Sequence, residues 1–168
     1  MKNTIKVLEE MKATNLIKDY AIGGGIAALY YVEPILTYDL DIFVIISGKK
    51  KEKSLIELTP IYDYLKSKGY AWKGEHIMIE GVPVQFIPAD KLEEEAIKAA
   101  KETIYQEVRT KVLTPEYLIT ILLRAGRRKD FDKILKLMEQ TKVDKQKLKI
   151  ILKKYHLFEK FEHLDYSL

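Results

Sequence analysis

Apolar and polar positions along the chain change period several times. Ile5, Leu8 and Met11 recur at helical spacing, which predicts a first helix over residues 3–14. The stretch "DYAIGGG" reads as a short strand running into a glycine turn, and "GIAALYYVE" as a helix stopped near Pro34. Residues 38–46 form the clearest strand, because Phe43 to Ile46 is apolar on both faces. A polar loop, "SGKKKEKS", precedes a helix over 55–67 that ends before Gly69. "YAWKGEHIMIE" and "GVPVQFIPA" read as two strands joined near Gly81. Asp90 is placed to cap a helix over 91–101, and "YQEVRTKVLT" alternates as a strand with Val108 and Val112 among its inward positions. Thr114 followed by Pro115 is a helix start, and the chain is helical from there, with breaks near Gly126, Thr141 and His156.

Strands and helices interleave up to about residue 113, and helices follow alone. That order predicts an α+β or α/β sheet domain over 1–113, with a C-terminal helical region, 114–168, packed on it. At 168 residues and 47% hydrophobic, the chain has enough apolar surface for one ordinary core. No apolar run approaches the roughly 20 residues that a membrane span needs, and "MKNTIKVLEEMK" lacks the apolar stretch of a secretion signal. There are no cysteines, so disulfides and thiolate metal sites are excluded. Together these features suit a cytoplasmic protein with no membrane partner. Net charge is only +4, but it is uneven. From Lys111 onward there are 14 Lys and Arg against 8 Asp and Glu, whereas 15 stand against 17 before it. A basic C-terminal part suits a polyanion such as nucleic acid, or simply a solvated lysine surface.

The strand at 38–46 opens with an anomaly. Asp39 and Asp41 are separated by one residue, so they point to the same side of a strand that dives into a core. Two carboxylates a few ångströms apart repel unless a cation sits between them, and a hard divalent ion is the chemical fit. Upstream, a strand runs into Gly23, Gly24 and Gly25 and a helix follows at once. Such glycines let backbone approach a ligand closely, and the helix start offers free N–H groups to phosphate. The Gly-Lys-Ser/Thr ending of a Walker loop is missing.

A glycine pair at a helix start, a short helix, then Asp-x-Asp opening a strand resembles the nucleotidyltransferase superfamily. The matching stretch is "IGGGIAALYYVEPILTYDLDIFV", with Gly24 and Gly25 as the pair and Asp39 and Asp41 as metal ligands. Within the superfamily the chain is similar to the abortive-infection-type toxins and their small relatives, through "VPVQF" at 82–86 and "AGRRKD" at 125–130. The resemblance covers roughly residues 1–140 and implies the α+β form, a mixed β-sheet flanked by helices. It implies that Mg²⁺ or Mn²⁺ on Asp39 and Asp41 binds the triphosphate of an NTP, which the glycine turn cradles. It further implies transfer of NMP to a hydroxyl acceptor, RNA or a tRNA end in the toxins, and an antitoxin protein as partner. Arg127, Arg128 and Lys129 are the candidates to meet a triphosphate or RNA backbone in the third motif, with Asp130 orienting Lys129 or an arginine.

The pattern departs from the superfamily at Gln85, where many members carry a third carboxylate. An amide can orient a hydroxyl but cannot take its proton. Glu80 could substitute only if the hairpin brought it to the same mouth. A binding module without catalysis, and a protein-interaction module, are therefore the competing expectations. "KKKEK" at 49–53 lies about 25 Å of extended chain beyond Asp41, too far for a phosphate grip. His76, His156 and His163 show no metal-ligand spacing.

Overall fold

A computed structural model describes residues 1–47 and 58–164; the "KKKEK" loop and residues 55–57 lie outside them. The elements are α1 (Lys2–Ala13), β1 (Ile17–Ile22), α2 (Gly24–Tyr31), β2 (Leu40–Ile46), α3 (Thr59–Ser67), β3 (Ala71–Lys73), β4 (His76–Ile79) and β5 (Val82–Pro88). They continue with α4 (Lys91–Lys98), β6 (Lys101–Tyr105), β7 (Val108–Val112), α5 (Pro115–Ala125), α6 (Arg128–Gln140), α7 (Lys145–Lys154) and α8 (Phe158–Glu162). The strands form one seven-stranded sheet in the order β3-β4-β5-β2-β1-β7-β6. The β2–β5 and β1–β7 pairs are parallel and the rest antiparallel, so the sheet is mixed and flanked by helices, as the resemblance implies.

β2 lies at the middle of the sheet, and Leu40, Ile42 and Val44 are fully buried. Burial on both faces explains why its sequence is a continuous apolar run rather than an alternation. Helices α2 and α4 both pack on β2, and α5 packs on α2, α4, α6 and α7. The helical end of the chain thus reaches the sheet through α2 and α4. Among the described residues, no helix is long and apolar enough to cross a membrane.

Two expectations for residues 71–113 need correction. "YAWKGEHIMIE" is not one strand: Gly74, at φ +63°, turns it into the β3–β4 hairpin. The helix predicted over 91–101 ends at Lys98, and the strand predicted from "YQEVRTKVLT" is the second arm of the β6–β7 hairpin. Gln106 and Glu107 form its turn with φ +47° and +72°. That geometry usually selects Asn or Gly, so the residues gave no turn signal.

The cap at Asp90 forms as expected. Its carboxylate accepts from the Leu92 N–H at 2.9 Å, and Glu93 reaches back to the Asp90 N–H at 3.1 Å, completing a capping box. Arg124 of α5 donates to Asp90 at 2.9 Å and pairs with Glu93, so it ties α4 to α5 and is occupied there. Asp90→Ala is expected to cost about 1 kcal/mol. Urea denaturation would read this as a lower midpoint at unchanged slope.

Candidate active site

The three consecutive glycines answer to three different neighbours. A Cβ on Gly23 would stand 2.2 Å from the Phe43 ring, one on Gly24 1.6 Å from Asp41 Oδ2, and one on Gly25 2.3 Å from Thr37 Oγ1. Gly24 also has φ +56°. The start of α2 is therefore pressed against the mouth of β2 over its whole width. The Gly23 N–H donates to the Asp41 carbonyl at 2.9 Å and locks the two elements together. The first N–H groups of α2 have no partner inside the helix.

Asp39 sits just before β2, and Asp41 is its second residue. Burial pushes the Asp41 carboxyl above its ordinary range, and the neighbouring Asp39 charge pushes it the same way. Three cations oppose this: Arg127, Lys133 and Lys129, in decreasing order. Arg127 and Lys133 are both held by Asp130, which is fully buried. Arg127 Nε donates to Asp130 Oδ2 at 2.6 Å and Nη2 to Oδ1 at 3.3 Å, while Lys133 Nζ donates to Oδ1 at 3.3 Å. Asp130 thus orients Arg127 and Lys133, not Lys129. Lys129 acts on Asp41 without that anchor, and Arg128 is exposed and is not among the cations that shift Asp41.

Gln85 stands directly beside Asp41 in the parallel β2–β5 register, so their side chains share a face. The neutral amide therefore occupies the strand position next to the aspartates. Glu80 does not compensate. It sits in the β4–β5 turn, bonded to Asn3 and to the Tyr70 hydroxyl at 3.4 and 2.8 Å. Five residues of extended chain, about 17 Å, separate it from Gln85.

Sequence reasoning named Arg127 but missed Lys133 and His76. Arg127 and Lys133 come to the aspartates only through the docking of α6, which no local pattern encodes. His76, without metal spacing in the sequence, places Nε2 3.5 Å from Asp39 Oδ2. Its signal was positional: it opens the strand after "KGE", two strands away from Asp41.

A cleft of about 420 Å³ adjoins the aspartates. One wall is the 34–39 segment; the other is the Lys129, Asp132, Lys133 and Lys136 face of α6. Lys136 donates to the Pro34 carbonyl and pins the two walls together. A larger hollow of about 540 Å³ lies between α1 and the β6–β7 hairpin. Its lysines, Lys12 and Lys111, close on Asp19 at 2.8 and 2.5 Å, and it contains none of the residues above.

Among the described residues, no group of three His, Asp or Glu side chains is arranged to hold a metal. Asp39 and Asp41 are the oxygen donors that could do so, leaving most of a shell to water and substrate. Mg²⁺ is commonly bound that way, with one or two carboxylates plus phosphate oxygens.

The mixed seven-stranded sheet flanked by helices is the fold of nucleotidyltransferase-like proteins. Two solved structures share it across nearly the whole chain. One is an antigenic nucleotidyltransferase-like protein from Paracoccidioides brasiliensis, at 17% identity and TM-score 0.50, covering 98% of this chain and 91% of that one. The other is the antibiotic-resistance factor ANT(2'')-Ia, at 15% identity and TM-score 0.51, covering 96% and 97%. No family model and no curated protein matches the sequence.

Proposed function

We propose that the chain is a Mg²⁺- or Mn²⁺-dependent nucleotidyltransferase that moves an NMP from an NTP to a hydroxyl acceptor. The observation that carries this reading is the packing of Asp41 against Gly24, with Asp39 beside it and two anchored cations facing them. Asp39 and Asp41 would hold the metal, which when bound supplies a Lewis acid on the phosphate oxygens. The N–H groups of Gly24 and Gly25, at a helix start, would be the donors to a phosphate. Arg127, held in a fork by Asp130, and Lys133 offset the charge of a triphosphate. Lys129 adds an exposed charge that reaches Asp41, and Arg128 is exposed beside it. Gln85 can orient an acceptor hydroxyl but leaves its proton to solvent or another group.

The cleft beside Asp39 bears on the acceptor. Its α6 wall sets three lysines against one aspartate. That balance disfavours a cationic acceptor and favours a phosphate-bearing one, such as RNA or a tRNA end. The role of toxin, with an antitoxin protein as partner, rests on the sequence resemblance. Calorimetric titration of each NTP with Mn²⁺ or Mg²⁺ tests the core reading. Binding is expected to require the metal and to vanish in Asp39→Ala/Asp41→Ala. Metal-independent binding, or none, would sink it.

Gln85 in register with Asp41 favours a second reading, nucleotide or RNA binding without transfer. Labelled NTP incubated with total RNA separates the two. Labelled RNA that disappears with Asp41→Asn supports transfer; metal-dependent binding with no labelled RNA supports the second reading.

A further inference from the structure

The antiparallel β4–β5 register pairs Ile77 with Val84. One step further along, His76 of β4 comes beside Gln85, which itself pairs with Asp41. His76, Gln85 and Asp41 therefore form a row across three adjacent strands, at the place where a third acidic residue is missing. From the end of that row, the imidazole Nε2 lies 3.5 Å from Asp39 Oδ2. Both side chains are about 30% exposed, at 29% and 31%, so the contact lies at the rim of the site rather than in the core. The Thr37 hydroxyl reaches the other oxygen, Asp39 Oδ1, also at 3.5 Å. Asp39 precedes the regular strand, so the sheet ladder does not fix its direction as it fixes that of Asp41.

We infer that His76 is the positioning residue for Asp39, which rests on the metal reading given above. Its ring would steady Oδ2 of the carboxylate, so that Asp39 would keep a fixed direction when a cation binds. Outer partners of metal-binding side chains typically change metal affinity by about 10–100-fold. The edge hairpin β3–β4, otherwise remote from the aspartates, acquires a part in the site by this contact.

The test is Mn²⁺ titration of the full chain without nucleotide, followed by the loss of the free-ion electron paramagnetic resonance signal. His76→Ala is expected to weaken Mn²⁺ binding by about 10-fold or more. His76→Gln, whose amide N–H can reach the same oxygen, is expected to recover most of that loss. Urea midpoints of both variants should stay near wild type, because the contact is at the rim. If wild type binds Mn²⁺ and His76→Ala binds it equally well, the role of His76 is overturned while the metal reading stands. If His76→Gln is as weak as His76→Ala, the ring is itself a ligand and the positioning role is overturned. If wild type binds no Mn²⁺, the metal reading falls and this inference falls with it.

Discussion

Gly24→Ala is expected to destroy the site while changing one methyl group. The new Cβ would stand 1.6 Å from Asp41 Oδ2, 2.6 Å from its carboxyl carbon and 2.9 Å from its Cβ. No rotamer change of Asp41 clears its own Cβ, so either β2 or the start of α2 must move. The backbone at φ +56° adds its own penalty for an L side chain. Strained backbone of that kind costs about 1–3 kcal/mol, before the steric displacement is counted. Two readouts follow: a lowered urea midpoint, and loss of metal-dependent nucleotide binding greater than the stability loss accounts for. A variant that folds and binds like wild type would show that the helix start and Asp41 are not in contact. Gly69→Ala is the matched control, because φ is also positive there but no atom lies within 4 Å of the added carbon.

Asp41→Asn is expected to move stability and function in opposite directions. Burial and the Asp39 charge both disfavour the Asp41 carboxylate, outweighing the help from Arg127, Lys133 and Lys129. The folded-state pKa therefore lies above the unfolded one. Between the two values the native state holds more protons than the unfolded state, so stability falls as pH rises through that window. The amide cannot ionise, so its variant should escape this fall. Urea denaturation should find Asp41→Asn more stable than wild type at neutral pH, with the advantage shrinking as pH drops toward the ordinary carboxyl range. Metal-dependent nucleotide binding should meanwhile fall by more than the about 10–100-fold that an outer partner commands. This is the trade-off of a group kept for chemistry at the expense of fold stability. A variant less stable than wild type at neutral pH would overturn the electrostatic account of Asp41.

The features legible in the sequence were those set by local pattern. The continuous apolar run marked β2, and the glycine run marked the turn into α2. Thr114-Pro115 and Asp90 marked the starts of α5 and α4. Asp39 and Asp41 could be singled out because their spacing conflicts with the strand they open. The β6–β7 hairpin was hidden because Gln106 and Glu107 adopt positive φ without being the residue types that prefer it. Lys133, and the link from Arg127 to Asp41, were hidden for a different reason. The relation of both residues to Asp41 depends on how α6 docks, and α6 docks through contacts with α2 and α5 made far along the chain. His76 needed the β4–β5 and β2–β5 registers together, neither of which one strand specifies.

The site draws its negative groups from residues 39 and 41 and its opposing cations from residues 127, 129 and 133. During synthesis, the ribosome delivers those halves in that order, separated by more than eighty residues. A nascent chain that has already paired β1 with β2 carries both aspartates at the strand mouth and none of the cations that offset them. Any chain cut short before Arg127 keeps the acidic half alone. The balance of charge at the strand mouth is thus completed only after most of the protein has been translated, so premature termination leaves the acidic half without its counterweight.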